Sequence, residues 1–195
     1  DGSAVDVIGA PVAVLIDHSE AANDTLTVNG LGGADTVTAG DGVADLIQLV
    51  LNGGTEVDAL TGGDGNDRIV GQQGNDSMVG GAGDDTLVWN PGDGSDLLEG
   101  QMGTDTMEFN GAAGNETFVV SAVGPRVEFL RNLGTIDMDL DDVERIELDA
   151  LGGTDTVTVN NLAGTDTVDV DEHTIRLLLE NAAAKECNHP PAGGR

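Results

Sequence analysis

The sequence predicts an all-β chain of stacked repeats, a solenoid with a thin core. Three observations carry this. Residues 62–88 are three consecutive nonapeptides: Gly62-Gly63-Asp64-Gly65-Asn66-Asp67-Arg68-Ile69-Val70, then Gly71-Gln72-Gln73-Gly74-Asn75-Asp76-Ser77-Met78-Val79, then Gly80-Gly81-Ala82-Gly83-Asp84-Asp85-Thr86-Leu87-Val88. Self-similarity at a short fixed period marks a repeat architecture. Aspartates fall at 58, 67, 76, 85, 96 and 105, and an apolar residue follows each by two places: Leu60, Ile69, Met78, Leu87, Leu98 and Met107. A flexible Gly-Asp linker would not keep that spacing. Finally, three Phe, one Trp and no Tyr supply little for a thick core, whereas Val, Leu and Ile suit a thin one.

Each nonapeptide reads G-G-x-G-x-D-x-U-x, with U a large apolar residue. Glycines reach the φ > 0 conformations that a tight turn needs. Such a turn points backbone carbonyls to one side, and the sixth-position Asp adds a carboxylate. Six to eight oxygens of these kinds suit Ca²⁺. Positions seven to nine are expected to form a short strand with U inward. Degenerate copies flank the three: Gly53-Gly54-Thr55-Glu56-Val57-Asp58-Ala59-Leu60 before them, Gly92-Asp93-Gly94-Ser95-Asp96-Leu97-Leu98 and Gly103-Thr104-Asp105-Thr106-Met107 after.

This stretch resembles the hemolysin-type, repeats-in-toxin (RTX) calcium-binding family. The resemblance implies a right-handed parallel β-roll in which two nonapeptides make one coil. Turns 18 residues apart then stack, giving one row of Asp58, Asp76 and Asp96 and another of Asp67, Asp85 and Asp105. The Asn90-Pro91 insertion lengthens both last intervals to 20 and keeps the sides matched. Calcium ions, four or more, are expected between 58/76, 67/85, 76/96 and 85/105. The metal-ligating residues expected on this reading are Asp58, Gly62, Asp64, Asp67, Gly71, Gln73, Asp76, Gly80, Ala82, Asp85, Asp93, Asp96 and Asp105, with Asp35 and Asp45 in the looser preceding part.

The chain divides accordingly. Residues 1–52 form an N-terminal solenoid flank with strands at 12–16, 23–28, 34–38 and 46–51. Residues 53–110 form the calcium roll. Residues 111–180 form a C-terminal flank, in which Gly152-Gly153-Thr154-Asp155-Thr156-Val157-Thr158 echoes Gly32-Gly33-Ala34-Asp35-Thr36-Val37-Thr38. Segments at 116–120, 127–130, 136–140 and 143–148 alternate with the period of two of half-buried strands. Gly124-Pro125 and Asn132-Leu133-Gly134 are turns. A continuous solenoid of roughly nine coils at ~4.8 Å per coil is a rod on the order of 45 Å long. Segment 171–180 fits either a last strand or a short helix. Residues 181–195 break all periodicity and hold the only Lys and the only Cys, as a vector-derived or read-through tail would.

Net charge is −29, from 36 acidic and 7 basic residues. Phosphates would be repelled, which excludes nucleic acid as a partner. No apolar run approaches the ~20 residues of a membrane helix, so membrane insertion is not expected. No signal peptide is visible at Asp1, which suggests a processed or non-native start. One cysteine makes no disulfide framework.

An EF-hand at Asp137-Met138-Asp139 fails, because Asp142 and Leu148 stand where Gly and Glu are required. His18, His173 and His189 are scattered, unlike zinc ligands, and Asp17-His18-Ser19 cannot form a triad by adjacency. Arg68, Arg126, Arg131 and Arg145 are expected to pair with nearby carboxylates. The function expected is an extracellular calcium-binding module, structural or adhesive, in a larger bacterial protein that is secreted or at the cell surface. Its expected partners are calcium and other domains of that chain. The alternative is a metal-dependent hydrolase acting on phosphoesters or esters through an open metal position, near Asp45, Asp93 or Asp105.

Overall fold

A computed structural model describes residues 4–7, 14–17, 20, 23–40, 42–43, 46–167 and 169–172. Strands β1 (Ala4–Val7) and β2 (Val14–Asp17) form an antiparallel pair. From β3 onward the chain alternates between two sheets, because each glycine-rich turn sends it to the opposite side. β3 (Thr25–Gly32), β5 (Gln48–Thr55), β7 (Arg68–Gln73), β9 (Thr86–Trp89) and β11 (Thr106–Asn110) stack in one sheet. β4 (Thr36–Thr38), β6 (Ala59–Asp64), β8 (Ser77–Ala82) and β10 (Leu97–Met102) stack in the other. Neighbours here are parallel throughout. The fold is therefore the expected all-β parallel β-roll.

The strands are longer than positions seven to nine. β6 and β8 continue their pairing through Gly63 with Gly81 and Asp64 with Ala82, so each strand runs into the first residues of the next repeat. The second position of the repeat is left-handed at Gly54, Gly63 and Gly81, and also at Gln72 (φ 69°) and Gln101 (φ 76°), where the repeat has lost its glycine.

Beyond β11 the expected succession of parallel coils gives way to a meander. β12 (Thr117–Val123), β13 (Arg126–Arg131) and β14 (Ile136–Asp141) pair antiparallel in turn. β14 closes onto β10 and β12 receives β16 (Thr156–Val159), so the second sheet runs β16-β12-β13-β14-β10-β8-β6-β4. The physical reason is loop length. Val123 faces Arg126 across Gly124-Pro125, and a two-residue connection can only join antiparallel neighbours. The first sheet continues in parallel through β15 (Arg145–Asp149) to β17 (Asp169–Glu172). Among the described residues the stack is thus eight strands deep on one side and seven on the other, not nine uniform coils. β17 answers the question at 171–180 only for Asp171 and Glu172, as strand; 173–180 and the tail 181–195 lie outside the described residues. Among the described residues no helix is long and apolar enough to cross a membrane.

The core is a pair of side-chain ladders. Leu60, Met78, Leu98 and Leu140 stack on one sheet, and Leu51, Ile69, Leu87, Met107 and Ile146 on the other. All are fully buried, so the U residues point inward as expected. Trp89, Phe109, Phe118 and Phe129 gather where roll and meander meet. The Trp89 and Phe109 rings lie parallel with centroids 4.1 Å apart.

A non-glycine residue in the left-handed region costs roughly 1–2 kcal/mol, less the entropy a glycine loses on folding. Gln72 and Gln101 are both exposed. Replacing Gln72 by Gly should therefore raise stability by up to about 1 kcal/mol in denaturant unfolding. A loss of stability would show that the Gln72 side chain makes a compensating contact.

Candidate metal centre

The sixth-position aspartates form the two expected rows. Each backbone N–H donates to Oδ1 of the aspartate one coil on: Asp58 to Asp76, Asp67 to Asp85, Asp76 to Asp96 and Asp85 to Asp105, all at 2.8 Å. Asp35 extends the first row backwards through its N–H to Asp58 Oδ1, also 2.8 Å. At the far end of the second row, Asp105 N–H donates to Glu144 Oε2 at 2.7 Å. The first row ends differently, with Asp96 N–H against the Met138 sulfur.

The other carboxylate oxygen folds back over the first glycine of its own repeat. A Cβ on Gly62 would stand 2.4 Å from Asp67 Oδ2 and 2.7 Å from the Gly80 carbonyl oxygen. On Gly53 it would stand 2.4 Å from Asp58 Oδ2 and 2.6 Å from the Gly71 carbonyl; on Gly80, 2.3 Å from Asp85 Oδ2 and 2.9 Å from the Gly100 carbonyl. Glycine at position one is therefore a steric requirement. The same contacts bring carboxylate and carbonyl oxygens of stacked coils towards one another.

Oδ2 of Asp35, Asp58, Asp67, Asp76, Asp85, Asp96 and Asp105 is buried, and no protein group donates to it. A buried, unpartnered carboxylate oxygen is costly. Oxygen-only donors converging between rigid turns fit a hard divalent cation such as Ca²⁺. The residues that would hold it are these aspartates and the first-position carbonyls of Gly71 and Gly80.

Burial raises the carboxyls of Asp67, Asp76, Asp85, Asp96 and Asp105 from their usual 3.8. Desolvation, with neighbouring carboxylates adding to it, lifts Asp67 and Asp85 to about 7. Asp96 rises to about 7, and Asp76 and Asp105 to about 6, again chiefly through desolvation and against the lowering effect of the N–H each accepts.

Other expected ligands are placed as follows. Asp64 Oδ2 accepts Gly42 N–H at 3.1 Å. The Ala82 carbonyl accepts Gly65 N–H at 2.5 Å. Gln73 is exposed, and Gly62 and Gly71 are buried under the carboxylates of Asp67 and Asp76. Asp93 Oδ2 accepts Asn90 N–H at 2.7 Å and closes the turn of the insertion; desolvation raises its pKa. Asp45, His18, Ser19, His173 and His189 lie outside the described residues. The four named arginines are engaged with carboxylates: Arg68 with Glu108, Arg126 with Glu99, Asp139 and Asp141, Arg131 with Glu116, and Arg145 with Glu147.

Three features were not anticipated. Fifth-position side chains form a second ladder, in which Asn66 Oδ1 accepts Asp84 N–H, Asp84 Oδ1 accepts Thr104 N–H and Asn75 Oδ1 accepts Ser95 N–H, each at 3.0 Å. The signal was the Asn-Asp pair recurring in successive repeats. One carboxylate each from Asp141, Asp142 and Asp166 also converges to within 4.8 Å. Finally, Gly111-Ala112-Ala113-Gly114-Asn115-Glu116-Thr117-Phe118-Val119 is a further repeat with Glu at position six.

Residues 52–87 and 92–117 match the family model described as the RTX calcium-binding nonapeptide repeat, in four copies. These residues are RTX calcium-binding repeats. The RTX segment folds as a β-solenoid and is a calcium-binding β-roll module. No curated protein matches the chain.

Two expectations follow for the RTX turns. Asp85→Ala should lower calcium-dependent thermal stability more than Asp137→Ala, because Asp85 is buried in a row and Asp137 is exposed on β14. Equal losses would contradict the assignment. The second concerns pH. A carboxyl whose folded pKa lies above its unfolded value stabilises the fold fully below the unfolded value and loses that contribution as pH rises through the folded one. For Asp67, Asp76, Asp85, Asp96 and Asp105 the window runs from 3.8 to about 6 or 7. In chelator, the roll should therefore be more stable at about pH 5 than at about pH 8, and calcium titrations at the lower pH should need more metal, since protons compete. Chelated protein that melts higher at the alkaline end would reverse the sign and refute this.

Proposed function

We propose that calcium ions bridge the stacked turns and drive the folding of residues 53–110, and that this roll is a structural or adhesive module of a larger secreted or cell-surface bacterial protein. On this reading 1–52 and 111–180 are flanks that cover the roll's ends, and 181–195 is a tail. The observation that carries the proposal is the set of seven buried carboxylate oxygens without a donor, aligned in two rows. One ion per stacked pair, 58/76, 67/85, 76/96 and 85/105, gives four, and the Asp35/Asp58 pair offers another.

Electrostatics explains why folding would depend on the metal. Turns in a parallel roll repeat every ~4.8 Å. Two unit charges that close repel by roughly 3 kcal/mol at an effective dielectric of about 20. Several such contacts rival the 5–15 kcal/mol net stability of a typical domain. Calcium turns repulsion into bridging, and its binding to the folded form adds stability by linkage. Extracellular calcium modules bind their ions with dissociation constants of about 10⁻⁴–10⁻³ M, a range in which millimolar calcium outside cells would stabilise such a roll.

Elemental analysis of desalted protein should find at least four calcium ions per chain. Hydrogen exchange should show that chelation strips protection from 53–110 while the flanks lose less. Unchanged protection at 53–110 in chelator, or one calcium or none, would sink the proposal.

A further inference from the structure

We propose that the repeat carrying Glu116 takes the guanidinium of Arg131 as its cation, in place of calcium. This rests on the calcium reading of the aspartate rows.

By position Glu116 belongs with the sixth-position carboxylates. A Cβ on Gly111 would stand 2.6 Å from Glu116 Oε2, as one on Gly62 would stand 2.4 Å from Asp67 Oδ2. Glu116 N–H donates to Asp155 Oδ1 at 2.9 Å, as the N–H groups of Asp58, Asp67, Asp76 and Asp85 donate to the next carboxylate in their rows. Phe118, two places on, is buried like every U residue. The family match runs to residue 117, into this repeat.

Its electrostatics differ. None of the seven buried Oδ2 atoms has a donor, whereas both Glu116 oxygens do. Oε2 accepts Ala112 N–H at 2.8 Å, and Oε1 accepts Arg131 Nε. Arg131 is itself buried, at 7% exposure. Its Nη1 donates to the Leu133 carbonyl at 3.1 Å, and its Cζ lies 5.0 Å from the Trp89 ring centroid. Carboxylate, carbonyl and aromatic face thus surround one guanidinium, each suited to a cation.

The source of Arg131 is the meander. β13 runs antiparallel between β12 and β14, and its last residue faces Phe118 across the pair, beside Glu116. The guanidinium is covalently tethered to the chain, so neutralisation here is independent of calcium concentration. A divalent ion entering would meet a buried like charge. The longer Glu side chain, in place of Asp, reaches the strand that carries the arginine.

The test uses the full chain and four proteins: wild type, Arg131→Met, the double variant Glu116→Gln/Arg131→Met, and the conversion Glu116→Asp/Arg131→Met. Calcium per chain is measured by elemental analysis and titration, and protection of 111–134 by hydrogen exchange with and without chelator. Wild-type 111–134 should keep its protection in chelator. Arg131→Met should lose it, since an uncompensated buried carboxylate remains. The double variant should bind as many calcium ions as wild type, with a midpoint within about twofold. The conversion should gain about one calcium per chain and make protection of 111–134 calcium-dependent. Loss of protection at 111–134 in chelated wild type, or one calcium fewer in the double variant, would overturn the guanidinium assignment alone. A wild type without calcium at the aspartate rows would overturn the reading on which it rests.

Discussion

A parallel coil sets each turn about 4.8 Å above the last, so any side chain at a fixed place in the repeat meets its own copies. For Leu60, Met78 and Leu98 that is favourable, and they merge into one ladder. For Asp58, Asp76 and Asp96 it places like charges together out of water. The same period therefore builds the core and concentrates the charge. The backbone absorbs half of the problem, since each aspartate receives one N–H from the coil before it. The remaining oxygen is left for a cation. Position one can only be glycine because that oxygen occupies the space of its Cβ.

The boundary of the repeats marks a change in packing. Within the roll, one aliphatic side chain per turn fills the gap between sheets. At β9, β11, β12 and β13 the chain gathers Trp89, Phe109, Phe118 and Phe129 into one cluster, with centroids 4.1 to 5.9 Å apart. A few aromatic residues suffice for a substantial core when all of them meet in one place. This cluster anchors the meander against the last coils, and its edge carries the Arg131–Glu116 pair.

The roll was legible in the sequence because its information is periodic. Aspartates every nine residues, with an apolar residue two places on, specify turn, strand, inward face and stacked partner together. Asp35 joined the first row although its spacing to Asp58 is irregular, since a looser coil still returns the chain to the same edge. The meander was not legible, because alternation at period two marks a strand without giving its direction. The short Gly124-Pro125 connection between two such segments was the available sign of an antiparallel pair. The Glu116 repeat is hidden in the sequence because it carries Glu where the other repeats carry Asp. Its partner lies 15 residues away on a neighbouring strand, a distance no local pattern spans.

Trp89 is the chain's single tryptophan. Its indole N–H donates to the Gly94 carbonyl at 2.8 Å, inside the coil that carries Asp96. One face stacks on Phe109, and a guanidinium approaches the ring. Every photon of intrinsic indole emission thus comes from one dry layer, at the seam between the aspartate rows and the arginine-neutralised coil. The protein carries its own fluorophore at the place where two ways of balancing charge meet.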